Sequence, residues 1–134
     1  MMNRLLRLSL PIFLWLASSP ALAQEVAGRV LVAAGDVVIQ RGAEKIAARR
    51  GAEARTGDIF QVGDKSNVQI RLTDESIIAL NSRTTFKLTE YAFQKREPTL
   101  RRAFFDLLRG GMRTVTGLIG RTKRENYAVR TPTA

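Results

Sequence analysis

The sequence predicts an all-β domain, an antiparallel sandwich or roll, behind an N-terminal signal peptide. Three observations carry this. Between Asn67 and Thr73 polar residues alternate with Val68, Ile70 and Leu72, the period of a strand with one dry face and one wet face. Gly- and Asp-rich turn signals recur roughly every 8–12 residues between short β-branched runs, a spacing that suits a sandwich or barrel and not alternating strands and helices. Removing residues 1–23 from the 134 leaves 111, with no cysteine among them; a chain of that size buries about two-thirds of its unfolded surface and needs no disulfides.

Taken in order, Arg4 and Arg7 precede an apolar run from Leu8 to Ser19, and Ala21-Leu22-Ala23 is a small-x-small site before Gln24. This is the layout of a cleaved secretory signal. The run is shorter than the roughly 20 residues of a membrane span, and an uncleaved anchor is the alternative. The mature domain is then residues 24–134. Arg29–Ala33 and Val37–Gln40 are strands, and Gly35-Asp36 between them reads as a tight hairpin. Glu44–Ala48 is a short edge strand, followed by a turn at Arg49-Arg50-Gly51. Turns at Thr56-Gly57-Asp58 and Gly63-Asp64-Lys65 bracket a strand from Ile59 to Val62. The alternating strand from Asn67 turns at Asp74-Glu75-Ser76 into a second run, Ile77–Leu80.

Asn81-Ser82-Arg83 leads into a strand from Thr84 to Phe93. Phe86 and Leu88 share one parity and Tyr91 and Phe93 the other, so a bulge near Thr89-Glu90 is expected. Lys95–Pro98 is a charged break. Residues 100–108 are ambiguous. Leu100, Phe104, Leu107 and Leu108 form a helical stripe, while Ala103, Phe105 and Leu107 alternate as in a strand. Alternation cannot bury Phe104, Phe105, Leu107 and Leu108 on one face, so an outward Phe104 and Leu108 need cover. Gly110-Gly111 turns into Met112–Thr116, Gly117–Arg124 reads as a basic loop, and Tyr127–Arg130 is a last strand.

Charge is uneven: residues 95–134 carry 10 Lys+Arg against 3 Asp+Glu, a net of +7. A basic half points to a polyanion, and export directs that expectation away from nucleic acid to an envelope protein, an anionic glycan or lipid. His and Cys are both absent, which removes the common nucleophilic sites, His acid–base work and the usual zinc ligands. No catalytic, cofactor or metal residues are assigned. Asp74 and Glu75 are sequence neighbours and cannot flank one bond as a hydrolase pair; Asp74, Asp58 and Asp64 read as turn-capping side chains. Gly117-Leu118-Ile119-Gly120 with Arg121, Lys123 and Arg124 is the best candidate for an anion-binding loop. Arg113 and Arg130 complete the expected partner surface, against the plain alternative of a solvated, charged loop.

In sequence order, Gly28-x-Val30 and Gly35-x-Val37 are followed by Gly51 with Gly57-Asp58. Then come Ser66-x-Val68-x-Ile70-x-Leu72-x-Asp74-x-Ser76-x-Ile78 and Leu80-x-x-x-Thr84-x-Phe86-x-Leu88. Phe105-x-Leu107-x-x-Gly110-Gly111-x-Arg113 and a terminal Thr131-Pro132-Thr133-Ala134 close the pattern. Over roughly Ala27 to Ala134 this resembles the FecR domain, the family of the periplasmic regulator of ferric-citrate uptake. The resemblance implies an all-β domain outside the cytoplasm that senses or binds and does not catalyse, and it implies a strand at Ala103–Leu108. Three departures stand out. A signal peptide replaces the family's cytosolic anti-sigma segment and transmembrane helix. Asp74-Glu75-Ser76 replaces Asp-Gly-Ser, which favours a type I turn with a bulge. The chain stops where the family runs on into another strand. That last departure predicts a domain lacking its final strand, open to oligomerisation or assembly by strand addition.

Overall fold

A computed structural model describes residues 26–93, 101–122 and 124–132. The expected signal peptide, the charged break at Lys95–Pro98 and Lys123 lie outside the described residues. Among the described residues eleven strands form two sheets. They are β1 Val26–Ala34, β2 Val37–Arg41, β3 Glu44–Ala47, β4 Glu53–Arg55, β5 Ile59–Val62, β6 Asn67–Leu72, β7 Ile77–Leu80, β8 Thr84–Ala92, β9 Arg102–Arg109, β10 Met112–Val115 and β11 Tyr127–Arg130. A single turn of helix, α1 (Leu118–Thr122), and a 3₁₀ turn at Arg124–Asn126 precede β11. One sheet has the order β10-β7-β6-β1-β4 and the other β11-β9-β8-β5-β2-β3.

The alternation seen in the sequence is the burial pattern of the fold. Val68, Ile70 and Leu72 are buried while Asn67, Gln69 and Arg71 are exposed. Inward side chains of both sheets form one core, which includes Val30, Ile39, Phe60, Ile70, Ile78, Leu80, Phe86, Leu88 and Phe105. Phe60, Phe86, Phe105 and Tyr127 stand in a row across β5, β8, β9 and β11, with successive ring centroids 6.5, 5.5 and 5.5 Å apart. Such tilted and edge contacts add to the area these rings bury.

Residues 102–109 form a strand, so the helical stripe is not used. The pairing of β8 with β9 shifts between Leu88 and Glu90. This is the expected bulge, and it lets Phe86, Leu88 and Tyr91 all point inward. A second shift, opposite Thr85 and Phe86, skips Leu108. Leu108 stands 49% exposed and Phe104 half-buried on the outer face.

Four points correct or complete the expectations. Gly35-Asp36 does not close a hairpin, because β1 and β2 belong to different sheets. It is a corner: Gly35 takes φ +79, Asp36 N–H donates to Ser66 Oγ (2.8 Å), and Gly63 N–H donates to Asp36 O (2.8 Å). Ser66, buried and remote in sequence, captures the turn's polar groups and sends the chain across. Second, Glu53–Arg55, for which no element was expected, is a strand paired with β1. Third, among the described residues the ladders are antiparallel save one, since β11 runs parallel to β9. The chain returns to this sheet from β10 in the other one through α1, and such a crossover delivers parallel strands. Fourth, within the segment expected as a loop Leu118–Thr122 is a helical turn and Arg124 opens the 3₁₀ turn, with Ile119 in the core.

At Gly110, φ is +92, and Gly111 exchanges hydrogen bonds of 3.2 Å with the Thr84 hydroxyl through both its N–H and its carbonyl. This corner, like the one at Gly35, is built from a glycine seated on a buried hydroxyl.

Candidate functional site

One buried acid anchors the start of α1 within the basic C-terminal third. Asp74, at the tip of the β6–β7 hairpin, is fully buried. Its Oδ1 accepts from Ser76 N–H (3.1 Å) and the Ser76 hydroxyl, and from Tyr91 OH (3.3 Å). Its Oδ2 accepts from Ile119 N–H (3.4 Å), and its carbonyl accepts from Leu118 N–H (2.8 Å). Its own N–H donates to Tyr91 OH at 2.9 Å, and burial raises the pKa of that phenol. The expected turn-capping role of Asp74 is met and extended across 45 residues of chain.

Gly117 sits hard against this acid. A Cβ there would collide with Asp74 O, Ser76 N and Ser76 Oγ, and Gly117 N–H donates to that hydroxyl at 3.2 Å. The backbone N–H groups that the glycine-rich segment was expected to offer to an anion are taken up within the chain: those of 117, 118 and 119 face Ser76 and Asp74. What the segment presents outward is side chains.

Arg121 and Arg124 are exposed, and with Thr116, Gly120 and Tyr127 they line a cleft of about 610 Å³. Gly120 is needed there because a Cβ would press on the Thr116 methyl and on Tyr127 Cβ (3.3 Å). Tyr127 is fixed by its hydroxyl, 2.7 Å from Thr114 Oγ1, and by its edge contact with Phe105. Burial raises its pKa, so the phenol stays neutral. The lining is two guanidinia, a hydroxyl and a phenol ring. Guanidinia present forked donors matched to carboxylate and phosphate, so this cleft suits an anion.

The five expected site residues are not one cluster. Arg121 and Arg124 share the cleft. Arg130 is turned to Asp106, with Nε 2.6 Å from Oδ1 and Nη2 3.2 Å from Oδ2. That guanidinium, with the Thr89 hydroxyl, holds the Asp106 carboxyl at about 2. Arg113 is exposed on β10, in the other sheet. Sequence reasoning passed over Tyr127 and Thr116, whose part in the cleft comes from folding alone.

Of the other acids read as turn caps, Asp58 is fully buried. It accepts from Arg55 N–H (2.8 Å), as a cap does, and from Arg41 Nε (2.9 Å) and Nη2 (2.8 Å). Asp64 is exposed and pairs with Arg83 at 3.2 Å. Among the described residues no group of three or more acidic, His or Cys side chains is gathered.

Comparison with known proteins finds no match among curated sequences and none among solved structures. A protein-family model, described as FecR protein, matches residues 58–134, more than half of the chain, from the Asp58 turn through the Asp74 clasp and the arginine cleft.

Proposed function

Because the chain belongs to the FecR protein family, a family of signal-transduction regulator-like modules, we propose that it is an exported, non-enzymatic module of that kind. It docks an acidic envelope partner, protein or glycan, through the cleft of Arg121 and Arg124. The observation that carries this is the pair of exposed guanidinia in one cleft, beside a helical turn whose first N–H groups are bonded to Asp74. The anchored helical turn holds the Arg121 backbone in place before the partner arrives, which lowers the ordering cost of binding. Export rests on the signal-like residues 1–23. Titration with a short polyglutamate peptide at low salt tests the site. Arg121→Glu with Arg124→Glu is expected to weaken binding at least about tenfold, the effect of reversing paired charges at a contact. Unchanged binding would refute the site. Secretion of a reporter fused after Ala23 tests export.

The edge positions of β10 and β11 favour a second reading, a structural module that assembles by strand addition. Sedimentation velocity distinguishes the two: that reading expects oligomers at micromolar concentration, and the first a monomer.

A further inference from the structure

The outer face of the five-stranded sheet carries a pattern that only the strand register reveals. Val115, Ile77, Arg71, Arg29 and Glu53 lie in one row across β10, β7, β6, β1 and β4. The next row is Arg113, Ala79, Gln69 and Val32. All point away from the core, since their neighbours Ile78, Ile70 and Val30 are buried. With strands about 4.8 Å apart, the face is roughly 20 Å across. Val115 (55% exposed), Ile77 and Ala79 make an apolar patch on β10 and β7, Val32 (47% exposed) lies on β1, and Arg71 and Gln69 of the central strand β6 stand between them.

Arg29 and Arg71 are direct cross-strand partners, and like charges so placed destabilise a sheet. Glu53 offsets Arg29 alone, at 3.6 Å. Among the described residues neither Arg71 nor Arg113 has a carboxylate partner. A second copy of the chain would bring the same cations against them, so self-association through this face is disfavoured. An anion between the arginines would relieve the repulsion.

We propose that this face rests on an anionic lipid surface, with Arg29, Arg71 and Arg113 on phosphate groups and Val115 and Val32 between headgroups. The positions of the three arginines on the face are set by the strand register. Lipid phosphates move laterally and can match that spacing, and arginine binds phosphate in bidentate fashion. Each such cation near an acidic bilayer strengthens binding by several-fold.

The test is co-sedimentation of the full chain with phosphatidylglycerol–phosphatidylcholine vesicles and with phosphatidylcholine alone, the difference isolating the charge-dependent part. Arg71→Glu with Arg113→Glu is expected to lower that part about tenfold or more. The charge-matched control Arg49→Glu with Arg50→Glu, in an exposed turn, is expected to lower it less than about threefold. The melting temperature separates binding from folding: Arg71→Glu gives Arg29 an opposite partner and is expected to raise stability while binding falls. Equal weakening by both pairs would reduce the effect to net charge and overturn the proposal. So would vesicle binding indifferent to phosphatidylglycerol, or binding to polyglutamate through this face without vesicle binding, which would make the partner an acidic protein.

Discussion

Glu75 holds φ +72, a region costing a non-glycine residue about 1–2 kcal/mol. The turn around it has the bonds of a three-residue loop with a bulge: Glu75 N–H to Leu72 O (3.0 Å) and Leu72 N–H to Ser76 O (2.9 Å). The bulge is as the sequence suggests, yet glutamate still occupies the strained position. Glu75→Gly is therefore expected to stabilise by about 0.5–1 kcal/mol after the greater freedom of unfolded glycine is subtracted, read as a rise in Tm. Asp106 gives a pH prediction. Its folded carboxyl titrates at about 2 against about 3.9 unfolded. A lowered folded value stabilises above the unfolded one and the gain is lost as pH falls through the folded one. The Tm difference between the native chain and Asp106→Asn is thus expected to be present at neutral pH and to close between about 4 and 2; a constant gap would contradict it. At this scale the sequence was a good guide to local chemistry. Asp74 as a turn residue and the Thr89 bulge were legible because each depends on near neighbours. The Tyr127–Thr114 bond was not, because it joins strands of different sheets.

Among elements, α1 has five residues, too few for a helix to stand alone in water. Its anchors are Asp74 and the burial of Ile119. Asp74→Ala would strand several buried donors at about 1–3 kcal/mol each. It is expected to cost about 3 kcal/mol or more and to raise hydrogen exchange at Leu118 and Ile119 ahead of the β5–β8 core. Arg41 plays a similar part between sheets: from β2 it binds Asp58 and also donates to Glu53 O on β4 at 3.1 Å. Arg41→Ala would leave a buried carboxylate without its cation, at about 3–5 kcal/mol, measurable by urea unfolding. Elements were legible where alternation ran long, as in β6. The three-residue β4 offered too little pattern, and α1 is helical because tertiary contacts hold it. Gly35-Asp36 misleads for a clear reason: its local signals suit a hairpin and a corner alike, and the deciding Ser66 lies 30 residues on.

For the whole molecule, the chain passes between the sheets at seven of the ten steps from one described strand to the next, and most strand pairs join distant parts of the sequence. Folding dominated by such pairings takes milliseconds to seconds, and stopped-flow circular dichroism is expected to find the main phase in that range; a microsecond phase carrying the whole amplitude would argue against this topology. The class of fold was legible from spacing and periodicity, whereas which strand enters which sheet was not, since inward and outward alternation is the same in either. That lacing has a further consequence. A trypsin cut after Arg50, in an exposed turn, leaves a short piece with β1 in one sheet and β2 and β3 in the other, and a long piece likewise woven through both. Neither fragment owns a complete layer, so the nicked halves are expected to stay clasped through gel filtration and to part only in denaturant, as two combs pushed together by their teeth.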